Sequence, residues 1–278
     1  MINYHGIAVE YYNRGDYDKA LEYFEKALST CEKDNKAEVP ERATLYNNIA
    51  GAYYAKSEYD NALRYYKKAL AIREKELGTE DPSTAMSYNN IAAVFYALGD
   101  SAKALEYYEK ALSIRESVLG LEHPSTATTY NNIALVYKDQ GDYSKAIEYC
   151  RKDLAISEKI LGKDHPDTAI TYSNIAEIYK ALGDYDTALD YYTKALSVFT
   201  EKIGEEHPHT KAILESITNI NKRDGSPQNR PLCHLFHSCG HARSAGTNMN
   251  LKKTRSARLP KMRASLCEHL FHSSGAAS

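Results

Sequence analysis

Paired asparagines recur at a fixed interval along this chain and are the residues best suited to recognition chemistry. The tripeptide Tyr-Asn-Asn begins at Tyr46, Tyr88 and Tyr130, and Asn174 holds the next corresponding place. Asparagine is a mediocre helix former, so its regular return inside helical sequence requires another reason. A side-chain amide offers two N–H donors and a carbonyl acceptor, which satisfy both polar groups of an extended peptide backbone without adding charge.

A helical wheel separates the two asparagines of each pair. At about 100° per residue, the apolar residues around Asn132 cluster on one side of the helix and Asn132 lies nearly opposite them. The equivalent residues are predicted to line a groove: Asn48, Asn90, Asn132 and Asn174. The alternative is that these amides hydrogen-bond one another between adjacent helices and hold them together. That alternative is favoured for the asparagines that sit to the side: Asn47, Asn89 and Asn131.

Other residues with chemical potential do not form a recognisable catalytic or metal site. The five cysteines lack the spacing of a disulfide framework, and the segment CHLFHSCGH from Cys233 matches no common zinc module. Three histidines precede prolines and read as helix-start residues: His123, His165 and His207. The chain has no Gly-rich phosphate loop or nucleophile elbow. We therefore expect no enzyme activity, no cofactor and no bound metal.

The positions that flank the asparagines reveal an internal repeat of 42 residues. Tyrosines keep this step from Tyr4 to Tyr172, and prolines keep it from Pro40 to Pro208. Each copy reads as two helices, because apolar residues recur at i, i+3, i+4 and i+7 on both sides of a Gly-Asp-Tyr turn. Glycine after the second helix supplies a left-handed residue that ends it. Short turns of this kind join antiparallel helices.

The predicted fold is all-α, a right-handed solenoid of stacked antiparallel helix hairpins that spans residues 2–223. The five repeats lie near residues 2–39, 40–81, 82–123, 124–165 and 166–207, and a capping helix covers 208–223. The tail, residues 224–278, is rich in Ser, Gly, Arg and Lys without a sustained apolar period, so it is predicted to be disordered.

The segment YNNIALVYKDQGDYSKAIEY resembles a tetratricopeptide repeat, and the 42-residue form with its LGKDHPDTA connector resembles the repeats of kinesin light chains and nephrocystin-type proteins. The resemblance implies that the first helices line a concave groove in which asparagines contact peptide ligands. Tyr54 and Tyr96 would lie near the groove edge. A charged patch at the C-terminal end of the groove would set ligand selectivity: Lys138, Asp139, Glu177 and Lys180.

The function implied by this resemblance is that of a non-catalytic scaffold for an extended peptide or a partner helix. A narrower expectation is a kinesin-light-chain-like cargo adaptor, whose partners would include kinesin heavy chain or cargo adaptors. Kinesin light chains join the heavy chain through a heptad segment ahead of the repeats. Because these repeats start at residue 2, a role with a motor is left open.

The fourth repeat departs from the pattern at two buried places. Cys150 replaces the tyrosine of other copies, and Asp153 replaces the alanine found at Ala69, Ala111 and Ala195. A carboxylate in a tightly packed position must reach solvent or a partner, or its burial is costly. We therefore expect the fourth repeat to be the loosest, and an Asp153→Ala variant to melt at a higher temperature.

The charge distribution separates an acidic body from a basic tail. From Ser226 onward there are eight basic residues and one acid, whereas the whole chain has 35 basic and 37 acidic residues. An alternative function is therefore binding of nucleic acid or an acidic surface through the tail, with the solenoid as a recruiting body. The acidic repeats themselves argue against nucleic acid. No signal peptide or membrane-spanning run is present, which predicts a cytoplasmic protein.

Overall fold

The computed structural model describes residues 3–33 and 39–223, and eleven α-helices account for most of this part of the chain. Five consecutive pairs of helices correspond to the five sequence repeats, which we call repeats 1 to 5. Their bounds are Tyr4–Asn13 (α1), Tyr17–Lys33 (α2), Val39–Ala55 (α3), Tyr59–Glu76 (α4), Pro82–Leu98 (α5), Ser101–Val118 (α6), Pro124–Gln140 (α7), Tyr143–Ile160 (α8), Pro166–Leu182 (α9), Tyr185–Ile203 (α10) and Pro208–Arg223 (α11).

Local sequence explains where each helix begins and ends. Helix α7 begins at Pro124, whose missing N–H has no intrahelical partner at that position. His123 is its N-cap residue, and its Nδ1 accepts a hydrogen bond of 3.0 Å from the backbone N–H of Ser125. The helix ends at Gly141, which adopts the left-handed conformation with φ of 81°. Helix α9 repeats this arrangement with His165 and Gly183.

The core lies between the two helices of each hairpin and between consecutive hairpins. Small and large side chains alternate there: second helices contribute fully buried alanines, while the first helices of repeats 2 to 5 contribute an isoleucine each at the same repeat position. Those isoleucines are Ile49, Ile91, Ile133 and Ile175. Tyr66, Tyr108 and Tyr192 on the second helices are also almost completely buried. Each hairpin packs mainly against the next one along the chain, as expected of a solenoid.

The all-α solenoid predicted from the sequence is thereby confirmed. The tail predicted to be disordered, with its Cys- and His-rich segment from Cys233, falls in residues 224–278, outside the described residues. Within residues 3–33 and 39–223, none of the helices combines the length and the apolar character needed to cross a membrane.

Ser57 is the one departure among the turns between paired helices. Gly15, Gly99, Gly141 and Gly183 have φ between 77° and 83°, and Ser57 occupies the same place in repeat 2 with φ of 62°. An L-residue other than glycine is strained in this region because its Cβ approaches the following carbonyl oxygen. A Ser57→Gly variant is therefore expected to gain about 0.5–1 kcal/mol in the free energy of unfolding, measured by urea denaturation.

The matched reverse variant is Gly141→Ser, which should lose a similar amount. No heavy atom lies within 4 Å of a Cβ built at Gly141, so backbone strain alone would cause that loss. If Ser57→Gly lowered stability, the entropy that glycine adds to the unfolded chain would outweigh the strain.

Candidate functional site

The asparagines of neighbouring first helices form a row of hydrogen bonds, which we call the amide ladder. Nδ2 of Asn90 donates to Oδ1 of Asn47 at 2.9 Å, and Nδ2 of Asn132 donates to Oδ1 of Asn89 at 3.2 Å. Nδ2 of Asn174 donates to Oδ1 of Asn131 at 2.8 Å. The second asparagine of each pair is thus the donor, and the first asparagine of the preceding repeat is the acceptor.

His5 begins the ladder in repeat 1, where it takes the place of the first asparagine. Its Nε2 lies 2.9 Å from Nδ2 of Asn48, which requires a neutral ring that accepts at Nε2. Burial lowers the pKa of His5, against a smaller opposing effect of the nearby Glu41 carboxylate. The neutral form that the hydrogen bond needs is therefore the favoured one near pH 7.

The donor asparagines are more deeply buried than the wheel indicates. Asn132 is only 2% exposed, while Asn131 is half-buried. Hydrogen bonds between amides of adjacent helices, which were the alternative to groove binding in the sequence analysis, are thus present in the structure. Each uses only one of the two N–H groups of its donor amide. Peptide contact by Asn48, Asn90, Asn132 and Asn174 stays a prediction.

Serines replace asparagines at the C-terminal end of the ladder. Ser173 stands where Asn131 stands one repeat earlier, and Ser216 on α11 stands in the position of Asn174. The hydroxyl of Ser173 is buried and has no hydrogen-bond partner within residues 3–33 and 39–223. A buried polar atom without a partner is unusual and indicates a place where a ligand or water can bind.

The two tyrosines predicted at the groove edge have different surroundings. Tyr54 is buried and its ring lies edge-on to that of Tyr59, with centroids 5.5 Å apart. Tyr96 is half-buried, and its hydroxyl donates to the carboxylate of Asp139 in the next repeat at 2.7 Å. Tyr96 and Asp139 therefore meet on the same surface, whereas Tyr54 is part of the core of repeats 2 to 4.

Of the four residues predicted in the charged patch, Glu177 and Lys180 belong to one hydrogen-bonded network. Lys138 places a positive charge near Glu177, whereas Asp139 bonds Tyr96. Nζ of Lys180 lies 2.8 Å from the Glu177 carboxylate, and the hydroxyls of Tyr192 and Ser216 also donate to it. Burial by itself raises the pKa of Glu177, but hydrogen bonds from Lys180 and Tyr192 outweigh burial and lower it. Glu177 is thus ionised at neutral pH, with its charge largely neutralised by Lys180.

Asp153 on α8 is a buried carboxylate with only neutral partners. Its side chain is 4% exposed, and it accepts hydrogen bonds from Ser157 at 3.1 Å and from Thr171 at 2.7 Å. Burial raises the pKa of Asp153 to about 6, although both hydroxyl hydrogen bonds oppose this effect. The sequence predicted that this carboxylate needs a partner, and the structure identifies the two hydroxyls.

Sequence reasoning missed the position four residues after Asp153. There, repeats 2 and 3 have buried arginines, Arg73 and Arg115, and repeat 5 has the buried Phe199. Repeat 4 has Ser157 instead. Alignment of the repeats at their 42-residue step would have shown that a serine replaces a large side chain at this position.

A cleft opens where that large side chain is replaced by serine, and we call it the repeat-4 cleft. It has a volume of about 210 Å³ and is lined mainly by α7, α8 and α9, including Asn132, Asn174 and Asp153, and also by residues of α10 and α11 such as Phe199 and His209. The corresponding cleft of repeat 2, with Arg73 in its wall, has a volume of about 80 Å³. The unpartnered Ser173 also lines the repeat-4 cleft.

Within residues 3–33 and 39–223, no three His, Cys, Asp or Glu side chains are close enough together to hold a metal ion. Cys150 is buried, and burial raises the pKa of its thiol to about 12, so it is not a thiolate at neutral pH. The described residues thus form a charged network and an acidic cleft lined by the amides of Asn132 and Asn174, and these features suit recognition of another molecule.

Comparison with solved structures shows the same architecture in several proteins. A putative kinesin light chain from Podosopora anserina with nearly identical TPR-like repeats is 26% identical over 71% of this chain and 93% of its own, with a TM-score of 0.60. BtubC (BKLC) from P. vanneervenii is 22% identical over 88% and 85% of the two chains, with a TM-score of 0.58. The Rap conjugation gene regulator of plasmid pLS20, solved with the Phr* peptide, is 16% identical over 81% and 69%, with a TM-score of 0.61.

None of the curated protein sequences matches this chain significantly. The family model described as the tetratricopeptide repeat does match, at residues 1–75, 41–117, 83–152, 125–201 and 169–228. These overlapping matches cover all five helix pairs, which agrees with the repeat seen in the sequence and with the stacked hairpins. The chain belongs to the tetratricopeptide repeat family.

Proposed function

We propose that this protein is a non-catalytic scaffold that binds an extended peptide or a helix of a partner protein along the surface formed by its first helices. The observation that carries the proposal is the repeat-4 cleft, which Asn132 and Asn174 of two neighbouring first helices line. The amides offer donors and acceptors to a guest backbone, while the cleft accepts a side chain.

Two further observations support the proposal. The charged network of Glu177 and Lys180, together with the Tyr96–Asp139 pair, gives the surface polar groups that discriminate among ligands. One protein of this fold has been solved in complex with a peptide. A scaffold without catalytic residues also agrees with a repeat architecture, since catalysis requires unlike groups to converge at one place.

The test compares two asparagines that share one hydrogen bond. Peptides selected from a random displayed library against the full chain would be measured by fluorescence polarisation with Asn132→Ala and Asn89→Ala variants. Both substitutions remove the same ladder bond, which should cost each variant about 1 kcal/mol of stability. Asn132 lines the cleft and Asn89 does not. We therefore expect Asn132→Ala to weaken peptide binding by about fivefold and Asn89→Ala to leave it unchanged.

Both variants lose the same ladder bond, so a difference in peptide binding between them cannot come from the loss of that bond. Equal binding by the two variants and the unmodified chain would show that the ladder is structural. Failure to select any peptide would contradict the proposal as a whole.

A narrower proposal is that the protein acts in the cytoplasm as a kinesin-light-chain-like cargo adaptor, with kinesin heavy chain or a cargo adaptor as its partner. Its support is the 26% identity to a putative kinesin light chain over 71% of this chain. Co-sedimentation with microtubules in the presence and absence of heavy chain would test it. Sedimentation independent of heavy chain would contradict a motor-linked role.

A further inference from the structure

Two buried arginines define a guanidinium site that recurs at the junctions between repeats. Nη1 of Arg115 donates to the backbone carbonyl of Ser125 at 2.8 Å and to Oγ1 of Thr129 at 2.6 Å. Nη1 of Arg73, one repeat earlier, donates to the carbonyl of Ser83 at 3.3 Å and to Oγ of Ser87 at 2.6 Å. Each junction therefore holds a guanidinium with one carbonyl and one hydroxyl of the following first helix.

The junction between repeats 4 and 5 retains the acceptors but lacks the arginine. Thr171 stands in the position of Thr129, and the backbone carbonyl of Asp167 stands in the position of Ser125. Ser157 replaces Arg115 and reaches only the carboxylate of Asp153. The residues around this gap are the ones that line the repeat-4 cleft.

The same junction has gained a negative charge. The carboxylate of Asp153 replaces an alanine methyl group and lies within hydrogen-bond distance of Thr171. In the described part of the chain it forms no salt bridge, and the neighbouring Asp167 adds further negative charge. The acceptors of a guanidinium site are thus combined with the counter-ion that a guanidinium prefers.

The other side chains of the cleft agree with a ligand that enters from the first-helix surface. The unpartnered hydroxyl of Ser173 lies in its wall, and Leu135 and Ile170 offer apolar surface for the methylene groups of a long side chain. Of the arginines in residues 3–33 and 39–223, Arg151 is nearest in sequence to Asp153, but it is exposed and donates to Tyr179.

We propose that the repeat-4 cleft binds the guanidinium group of an arginine side chain carried by a partner peptide, in the place that Arg73 and Arg115 fill in their own junctions. This inference rests on the proposed function, since the peptide lies along the first-helix surface. Arginine is preferred to lysine because its planar fork contacts the carboxylate, the Thr171 hydroxyl and the Asp167 carbonyl together.

The test uses a probe with one side chain and no extended backbone. Nα-acetyl-L-arginine N-methylamide would be titrated into the full chain and followed by ligand-observed NMR, beside the same derivatives of citrulline and lysine. Citrulline has the shape of arginine without its charge. We expect the arginine probe to bind, the lysine probe to bind more weakly, and the citrulline probe to bind at least about tenfold more weakly.

Variants locate the site. Asp153→Asn should weaken the arginine probe at least about tenfold, because the counter-ion is lost. Ser157→Arg should abolish binding, because the new side chain fills the cleft from within the protein. Asp190→Asn, which removes an exposed carboxylate on α10 that pairs with Lys194 and does not line the cleft, should leave binding unchanged. Equal affinity for the citrulline probe, or full binding by Ser157→Arg, would overturn the inference.

The outcome is separable from that of the proposed function. Probe binding does not require the amide ladder, so an Asn89→Ala variant should retain it. A chain that binds library peptides through Asn132 but ignores the arginine probe would retain the proposed function and lose this inference.

Discussion

Replacing Asp153 by asparagine is expected to stabilise the protein by about 3 kcal/mol at pH 7.5. The substitution keeps one acceptor oxygen and replaces the other by an amide NH2 group, which can donate to the oxygen of either hydroxyl. It removes a charge that is buried with no cationic partner in the described residues. Burial raises the pKa of this carboxyl from 3.8 to about 6. Because one pKa unit corresponds to about 1.4 kcal/mol, ionisation of Asp153 costs the folded state about 3 kcal/mol. An Asp153→Ala variant should also melt at a higher temperature than the unmodified chain.

The stabilisation should depend on pH in a defined direction. Between pH 3.8 and about 6 the folded state binds more protons at Asp153 than the unfolded state, so its contribution to stability falls as pH rises. The full cost is present above pH 6 and absent below pH 3.8. The advantage of Asp153→Asn should therefore be small near pH 4 and reach its maximum above pH 7.

Urea denaturation of the Asp153→Asn variant and the unmodified chain at several pH values measures the difference in their stability. Titrating groups that the two proteins share contribute to both and drop out of that difference. Besides Asp167 on α9, the residues that line the same cleft include His209 on α11, and both residues are present in the two proteins. Asp139→Asn serves as a control, since the exposed Asp139 should give no comparable gain. A stabilisation that is equal at pH 4.5 and pH 7.5 would show that charge burial is not its cause.

Replacing Ile133 by alanine is expected to destabilise the protein by about 2–5 kcal/mol. Ile133 is 1% exposed and belongs to a core cluster to which repeats 2, 3 and 4 all contribute. Truncation removes apolar contacts and leaves a cavity that neighbouring rigid helices fill only in part. Since each repeat is stabilised mainly by its neighbours, a lesion at this place weakens the junctions on both sides of repeat 4.

The measurement is the urea unfolding midpoint followed by helical circular dichroism, with Leu121→Ala as the control. Leu121 is 62% exposed, so its truncation should change stability by less than about 0.5 kcal/mol. A loss below about 1 kcal/mol for Ile133→Ala would mean that the neighbouring helices move to fill the cavity, which would indicate that the junctions of repeat 4 are loosely packed.

The energetic cost at Asp153 is consistent with a binding role. A buried carboxylate that lowers stability and faces an open cleft is more typical of a functional site than of a structural core. The substitution that should stabilise the chain, Asp153→Asn, should also weaken binding of the arginine probe. Opposed effects of this kind are common where a binding site requires an unfavourable arrangement.

The sequence alone determined the repeat architecture, because every copy keeps the 42-residue step without insertion. Local rules act over a few residues: proline begins α7, Gly141 ends it, and the apolar spacing around Ile133 selects its buried face. These signals are short-range and are repeated five times, so the hairpins and their stacking order could be predicted.

Only the tertiary structure decided what the asparagines bond to and where a cavity lies. The bond from Asn132 to Asn89 joins residues 43 positions apart, and its existence depends on the distance between adjacent hairpins. The sequence showed that Asp153 was unusual, but not that Ser157 and Thr171 would be its partners. The volume left by the absent arginine depends on how α7, α8 and α9 pack together, and packing between hairpins is not encoded in any single repeat.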